Sequence, residues 1–135
     1  MLSKISHIGI AVKSLQEQVP FYKDVLKMEY SGEEVVAEQK VKVAMFKIGE
    51  VKIELVSPTS PDSPIAKFIE KKGEGIHHIA YQTDNIEKEI KNIEDHGLRM
   101  IDKEPKSGAH NTKIAFIHPK SSGKVLTELT EYKKG

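Results

Sequence analysis

The sequence contains no cysteine among its 135 residues, which excludes disulfide bonds, thiolate metal sites and thiol nucleophiles. It also lacks a charge excess, because 21 basic and 20 acidic residues give a net charge of +1. Such a balance provides no global field to recruit nucleic acid or an anionic membrane. No apolar run approaches the roughly 20 residues of a membrane-spanning helix, and residues 1–6 do not resemble a signal peptide. We therefore expect a cytoplasmic protein that binds neither nucleic acid nor membranes.

One pattern occurs twice along the chain. In each half a histidine begins an apolar strand-like segment, and a glutamate followed by leucine lies in a later one. The first copy contains His7 and Glu54, and the second contains His78 and Glu128 at nearly the same offset. A duplicated unit with one imidazole and one carboxylate can supply two nitrogens and two oxygens to a shared centre. The repeat therefore predicts a metal site and an enzyme.

Each half also repeats one order of elements. Helix starts are predicted after Ser14, Ser63 and Asn85, which are good N-cap residues. Apolar alternation predicts strands over 4–12, 33–38, 41–48, 51–57, 76–83, 99–104, 112–118 and 124–131. The chain is then a single α+β domain over 1–135, with a first βαβββ module at 1–57, a linker with a short helix at 58–75, and a second βαβββ module at 76–135. Two such modules can form a curved, barrel-like mixed sheet with helices on the outside.

Each candidate ligand also has an ordinary structural interpretation. A single histidine on a strand is more often a hydrogen-bonded core residue than a ligand, and the two glutamates would be unremarkable at solvent-exposed sheet edges. A carboxylate buried alone costs several kcal/mol, so two glutamates at equivalent positions need a common compensation. The repeat aligns His78 with His7, so we expect His78 to face the glutamates and His77 to point away.

A donor set of two histidines and two carboxylates suits borderline or hard divalent ions such as cobalt, nickel, manganese, zinc or iron. Four protein ligands on a larger ion leave positions open for substrate oxygens. The donor set by itself does not choose among these metals.

At these residues the chain resembles the vicinal oxygen chelate superfamily, which has the glyoxalase-like fold. Within that superfamily it is most similar to the methylmalonyl-CoA epimerase family. The segments that carry the resemblance are HIGIAV at 7–12, DSPIA at 62–66, GIHHI at 75–79, EPK at 104–106, HPK at 118–120 and VLTEL at 125–129. Together they extend over nearly the whole chain. The segment at 7–12 is typical of the superfamily, and the DSPIA, GIHHIA and HPK…GKVLTEL segments together are much more specific.

The resemblance implies a metal-dependent racemase or epimerase that interconverts (R)- and (S)-methylmalonyl-CoA through a metal-stabilised enolate. The metal ligands would be His7, Glu54, His78 and Glu128, and Glu54 and Glu128 would also transfer the protons. Cobalt would be the expected ion, with nickel, manganese or zinc as alternatives. An acyl-CoA substrate and a homodimer follow from the same resemblance.

Two other functions stay open. Some epimerases of this family place a separate catalytic glutamate in the strand before the Glu54 position, but the matching position here is near Val43, where no carboxylate is present. That difference favours glyoxalase I, in which a metal-bound glutamate isomerises the hemithioacetal of methylglyoxal and a thiol. The third interpretation is a metal-free binding protein of the same fold.

Overall fold

The computed structural model describes residues 1–134, and its elements follow the predicted order in both halves. The elements are β1 (Leu2–Ala11), α1 (Leu15–Pro20), β2 (Glu29–Val36), β3 (Val41–Ile48), β4 (Val51–Pro58), α2 (Pro64–Lys72), β5 (Gly75–Thr83), α3 (Ile86–Asp95), β6 (Lys106–Gly108), β7 (Thr112–Ile117) and β8 (Thr127–Tyr132). The strands follow the hydrogen-bonded order β2-β3-β4-β1-β5-β8-β7-β6 in a mixed sheet. The predicted fold class is confirmed.

Two compact units share strand β1. The first unit is His7–His77, and the second unit combines Met1–Ser6 with the chain from His78 onward. The boundary between the two units falls inside β1, between Ser6 and His7, although β1 is one continuous strand. The sequence pattern of β1 does not reveal this boundary. The module boundaries given above describe the sequence repeat and stay a prediction.

In the first unit, β4 lies between two partners of opposite direction. It pairs in parallel with β1 and antiparallel with β3, and β3 pairs antiparallel with β2. The core of this unit lies between the sheet and α1, which covers one face of it. It consists of Val12, Leu15, Ala44, Phe46 and Leu55, with Tyr22 and Tyr30 packed around Phe46.

In the second unit, β8 occupies the corresponding place. It pairs in parallel with β5 and antiparallel with β7, and β7 pairs antiparallel with β6. Helix α3 packs on β7 and β8 through a core of Ile86, Ile90, Met100, Ala115, Ile117 and Leu129. In both units the parallel pair therefore joins the first strand of a half to its last one.

The three predicted helix starts are confirmed by their caps. The Ser14 hydroxyl accepts a hydrogen bond from the backbone N–H of Glu17, and the Asn85 side chain accepts one from that of Lys88. Pro20 ends the regular part of α1, and the chain continues as a π-helical turn over Phe21–Val25. None of the helices within residues 1–134 has the length and hydrophobicity needed to cross a membrane.

The predicted strand over 99–104 is wrong. Met100 forms only an isolated bridge to Ile117, and the strand that pairs with β7 is β6. The carboxylate of Asp102 accepts a hydrogen bond from the backbone N–H of Phe116 at 2.9 Å, so a side chain takes the place of a strand carbonyl. Pro105 follows closely and has no N–H to donate. The regular ladder therefore begins only after Pro105.

The DSPIA segment contains the N-cap and the first residues of α2. The Ser63 hydroxyl is completely buried and accepts a hydrogen bond from the backbone N–H of Ile65 at 3.1 Å, while Pro64 occupies the first helical position. Beside it, hydrogen bonds from the Lys40 ammonium and the Ser60 hydroxyl lower the pKa of Asp62 to about 2. Asp62 therefore stays ionised at neutral pH and ties the connector to the start of β3.

We expect Ser63→Ala to lower the free energy of unfolding by about 1 kcal/mol, because it removes the buried cap acceptor of α2. Urea denaturation followed by circular dichroism measures this change. Ser31→Ala on the exposed side of β2 is the matched control, expected to stay within about 0.5 kcal/mol of the wild type. Equal stabilities of the two variants would contradict a stabilising role for this cap.

Candidate functional site

The first histidine–glutamate pair lies on the parallel strands β1 and β4. Nε2 of His7 is 3.7 Å from Oε1 of Glu54, and both residues are buried, at 5% and 7% exposure. In the strand register Gly9 lies directly opposite Glu54. Because glycine carries no side chain, the space beside Glu54 is left to the imidazole two residues away on the same face.

The second pair repeats this arrangement on the parallel strands β5 and β8. Nε2 of His78 is 3.3 Å from Oε1 of Glu128, and both are again buried, at 4% and 3% exposure. The residue opposite Glu128 in the register is Ala80, the other small residue of the repeat. The structure therefore brings together the residues that the sequence paired within each half.

Two neighbours hold the second pair, and sequence reasoning missed both. The Thr130 hydroxyl donates a hydrogen bond to Oε2 of Glu128 at 2.5 Å. The ring of Phe116, which lies opposite Glu128 in the β7–β8 register, contacts the His78 ring edge-on at a centroid distance of 5.5 Å. Strand periodicity was the available signal for Thr130, because residues i and i+2 share a face. No local signal points to Phe116, because it is distant in sequence.

The two adjacent histidines separate as predicted. The His77 ring contacts the Phe68 ring of α2 edge-on, with centroids 4.8 Å apart. His78 instead faces Glu128. The alternation of side chains along a strand explains the difference.

Val43 is buried on β3, on the same face of the sheet as Glu54. Met45 lies directly opposite Glu54 in the register, and Val43 lies two residues before Met45. This part of the sheet therefore presents apolar side chains beside Glu54. These two β3 positions therefore carry no carboxylate that could act as a base beside Glu54.

The donor chemistry of the two pairs fits a divalent metal ion. Each pair offers an imidazole nitrogen and a carboxylate oxygen without thiolates, and His7, Glu54 and His78 are all buried donors suited to a metal ion. A buried carboxylate needs a positive charge or several hydrogen bonds to offset its lost hydration. Buried His–carboxylate groups of this kind indicate a divalent ion and do not select its identity.

The chain is similar to several methylmalonyl-CoA epimerases. The chain is 37% identical over 131 residues to the mitochondrial methylmalonyl-CoA epimerase of Homo sapiens, covering 96% of this chain and 74% of that protein. It is 34% identical over 133 residues to the ethylmalonyl-CoA/methylmalonyl-CoA epimerase of Cereibacter sphaeroides, and the match covers 97% of this chain and 99% of that protein. A solved structure of methylmalonyl-CoA epimerase in complex with methylmalonyl-CoA and NH4+ is 39% identical in sequence to this chain. It superimposes with a TM-score of 0.94, and the match covers 98% of this chain and 96% of that one.

The family assignment follows from both kinds of match. Residues 6–116 match the family model of the Glyoxalase/Bleomycin resistance protein/Dioxygenase superfamily, so the match includes His7, Glu54 and His78. The relatives above extend the similarity through Glu128 to nearly the whole chain. The chain therefore belongs to the Glyoxalase/Bleomycin resistance protein/Dioxygenase superfamily and, within it, to the methylmalonyl-CoA epimerases.

Proposed function

We propose that this protein is a metal-dependent epimerase that interconverts (R)- and (S)-methylmalonyl-CoA by proton transfer at C2. The observation that carries the proposal is the pair of buried His–Glu contacts, repeated in a chain whose relatives are methylmalonyl-CoA epimerases. The acyl-CoA substrate comes from the names of those relatives. The proton at C2 is next to the thioester carbonyl, and a positioned carboxylate is a suitable general base for its removal.

A single divalent ion, held by His7, Glu54, His78 and Glu128, is the second part of the proposal. The sequence repeat supports it, as does the burial of both carboxylates beside imidazoles. Cobalt is our first choice, and nickel, manganese and zinc are alternatives that the same donor atoms accept.

Glu54 and Glu128 are proposed as the two bases. One glutamate, as the carboxylate, removes the C2 proton and leaves the electron pair of the C–H bond in a planar enolate. The other, as the carboxylic acid, donates its proton to the opposite face of the same carbon and becomes the carboxylate. Lewis-acid stabilisation of the charge that develops on the thioester oxygen is the chemistry that a bound divalent ion supplies. The β3 side chains beside Glu54 on this face, Val43 and Met45, are apolar, so we assign the base of the first half to Glu54.

Glyoxalase I chemistry is the second candidate. The observation that favours it is the combination of Glu54 with Val43, because a metal-bound glutamate then has to act as a base. The relatives with named substrates favour the epimerase. Both reactions move a proton next to a carbonyl group, so the substrate decides between them. The homodimer and the cytoplasmic location stay predictions.

Cobalt-loaded protein incubated with one epimer of methylmalonyl-CoA in deuterated water is expected to incorporate deuterium at C2 and to form the other epimer. Mass spectrometry measures the incorporation, and a stereospecific mutase assay measures the new epimer. Removal of the metal with a chelator is expected to stop both, and added Co2+ to restore both. A metal-loaded protein that exchanges no deuterium would exclude the epimerase, and methylglyoxal with a thiol would then be the substrate to test.

Replacement of the adjacent histidines separates a ligand from a structural residue. We expect His78→Ala to abolish Co2+ binding, because it removes one imidazole donor from the centre. His77→Ala is the matched control and should bind Co2+ like the wild type, because His77 packs on Phe68. Isothermal titration with Co2+ gives both affinities. Co2+ binding by His78→Ala at wild-type affinity would remove His78 from the ligand set, and no binding by the wild type would favour the metal-free binding protein.

Glu54→Gln and Glu128→Gln test the two proton-transfer roles. Each amide can still offer an oxygen to the metal but cannot accept the C2 proton. We expect each variant to lower interconversion by about 100- to 10,000-fold, while deuterium still enters from the one epimer whose proton faces the remaining glutamate. The two variants should therefore exchange opposite epimers. If either variant interconverts the epimers at the wild-type rate, that glutamate is a ligand and not a base.

A further inference from the structure

Thr130 is a buried hydroxyl residue whose partner is one of the candidate metal ligands. Its side chain is completely buried, and its hydroxyl donates to Oε2 of Glu128 at 2.5 Å. Oε1, the other oxygen of the same carboxylate, is the atom 3.3 Å from Nε2 of His78. The two oxygens of Glu128 therefore have separate partners, one fixed by the hydroxyl and the other facing the imidazole.

The sequence repeat is broken at this position. Thr130 lies two residues after Glu128, and the residue two after Glu54 is Val56, which is buried and apolar. Packing alone is thus satisfied by valine at the equivalent place in the first half. Because a buried hydroxyl is costly unless it is hydrogen-bonded, threonine at 130 indicates a need for the bond to Glu128.

The strand ladder does not require this hydroxyl. In the register Thr130 lies opposite Ile114 on β7 and Gln82 on β5, and these pairings use backbone groups. Valine has nearly the same shape as threonine and an equal preference for strands. The bond from Thr130 therefore acts on the orientation of the Glu128 carboxylate and not on the pairing of β8.

We propose that Thr130 is a positioning residue for metal binding, which holds Oε2 of Glu128 so that Oε1 is presented to the ion as a single donor atom. This inference rests on the proposed function, because it takes Glu128 as a metal ligand. Hydrogen bonds from outer groups to ligating side chains fix the direction of the donor atom, and their loss commonly weakens metal binding. Thr130 thus gives Glu128 a fixed orientation in the second half that Val56 cannot give Glu54 in the first.

The test measures the affinity of the metal-free protein for Co2+ by competition with a chromophoric chelator. Thr130→Val and Thr130→Ala remove the hydroxyl, and we expect each to bind Co2+ about 10- to 100-fold more weakly than the wild type. Thr130→Ser keeps the hydroxyl and should bind within about threefold of the wild type. Thr127→Val is the matched control, because it removes a hydroxyl from the same strand that bonds only to the carbonyl of Val125, and it should bind like the wild type.

The outcomes separate this inference from the proposed function. Weak Co2+ binding by both hydroxyl-free variants, with recovery in Thr130→Ser, supports the positioning role. Wild-type affinity in a folded Thr130→Val or Thr130→Ala variant overturns it and leaves the epimerase proposal intact. A wild-type protein that binds no Co2+ overturns the proposed metal centre itself. Thermal unfolding of each metal-free variant shows whether it is folded. A loss of Co2+ affinity caused by general destabilisation would also appear in Thr130→Ser and Thr127→Val.

Discussion

The burial of two carboxylates within the sheet is the constraint on which the rest of the structure depends. Glu54 lies between Ile53 and Leu55, Glu128 lies between Thr127 and Leu129, and both are removed from water. Each is placed beside an imidazole, at 3.7 Å in the first unit and 3.3 Å in the second. A neutral imidazole offsets only part of the lost hydration, and a divalent cation offsets far more. The stability of this fold and its proposed chemistry are thus linked through the same four side chains.

Parallel pairing of the first and last strands creates each contact. His7 and His78 lie on strands that begin their halves, and the glutamates lie on strands that end them. A parallel pair requires a long crossover, so the helix and the intervening strands of each half lie in sequence between the imidazole and the carboxylate that they bring together. The small residues Gly9 and Ala80, directly opposite the glutamates, keep the space open for the histidines.

The two halves share the parallel pairing of their first and last strands and differ in what surrounds their glutamates. Glu128 has a hydroxyl on Oε2, while the strand positions around Glu54 are occupied by Val43, Met45 and Val56. The proposed epimerisation needs opposite proton transfers on the two faces of one carbon, and the duplicated sequence provides one buried carboxylate in each half for the two roles proposed above.

The sequence alone determined the repeat, the fold class, the helix caps and the pairing of each histidine with its glutamate, because these follow from periodicity and short-range hydrogen bonding. Tertiary structure decided the remainder. The strand expected over 99–104 is displaced by the Asp102 carboxylate, which bonds to the backbone of Phe116, and this contact joins residues 14 positions apart. The ring of Phe116 reaches His78 only when β5, β7 and β8 are assembled, whereas the Thr130 hydroxyl bonds to Glu128 within β8 itself. Side-chain contacts between distant residues depend on strand register, which local propensity does not encode.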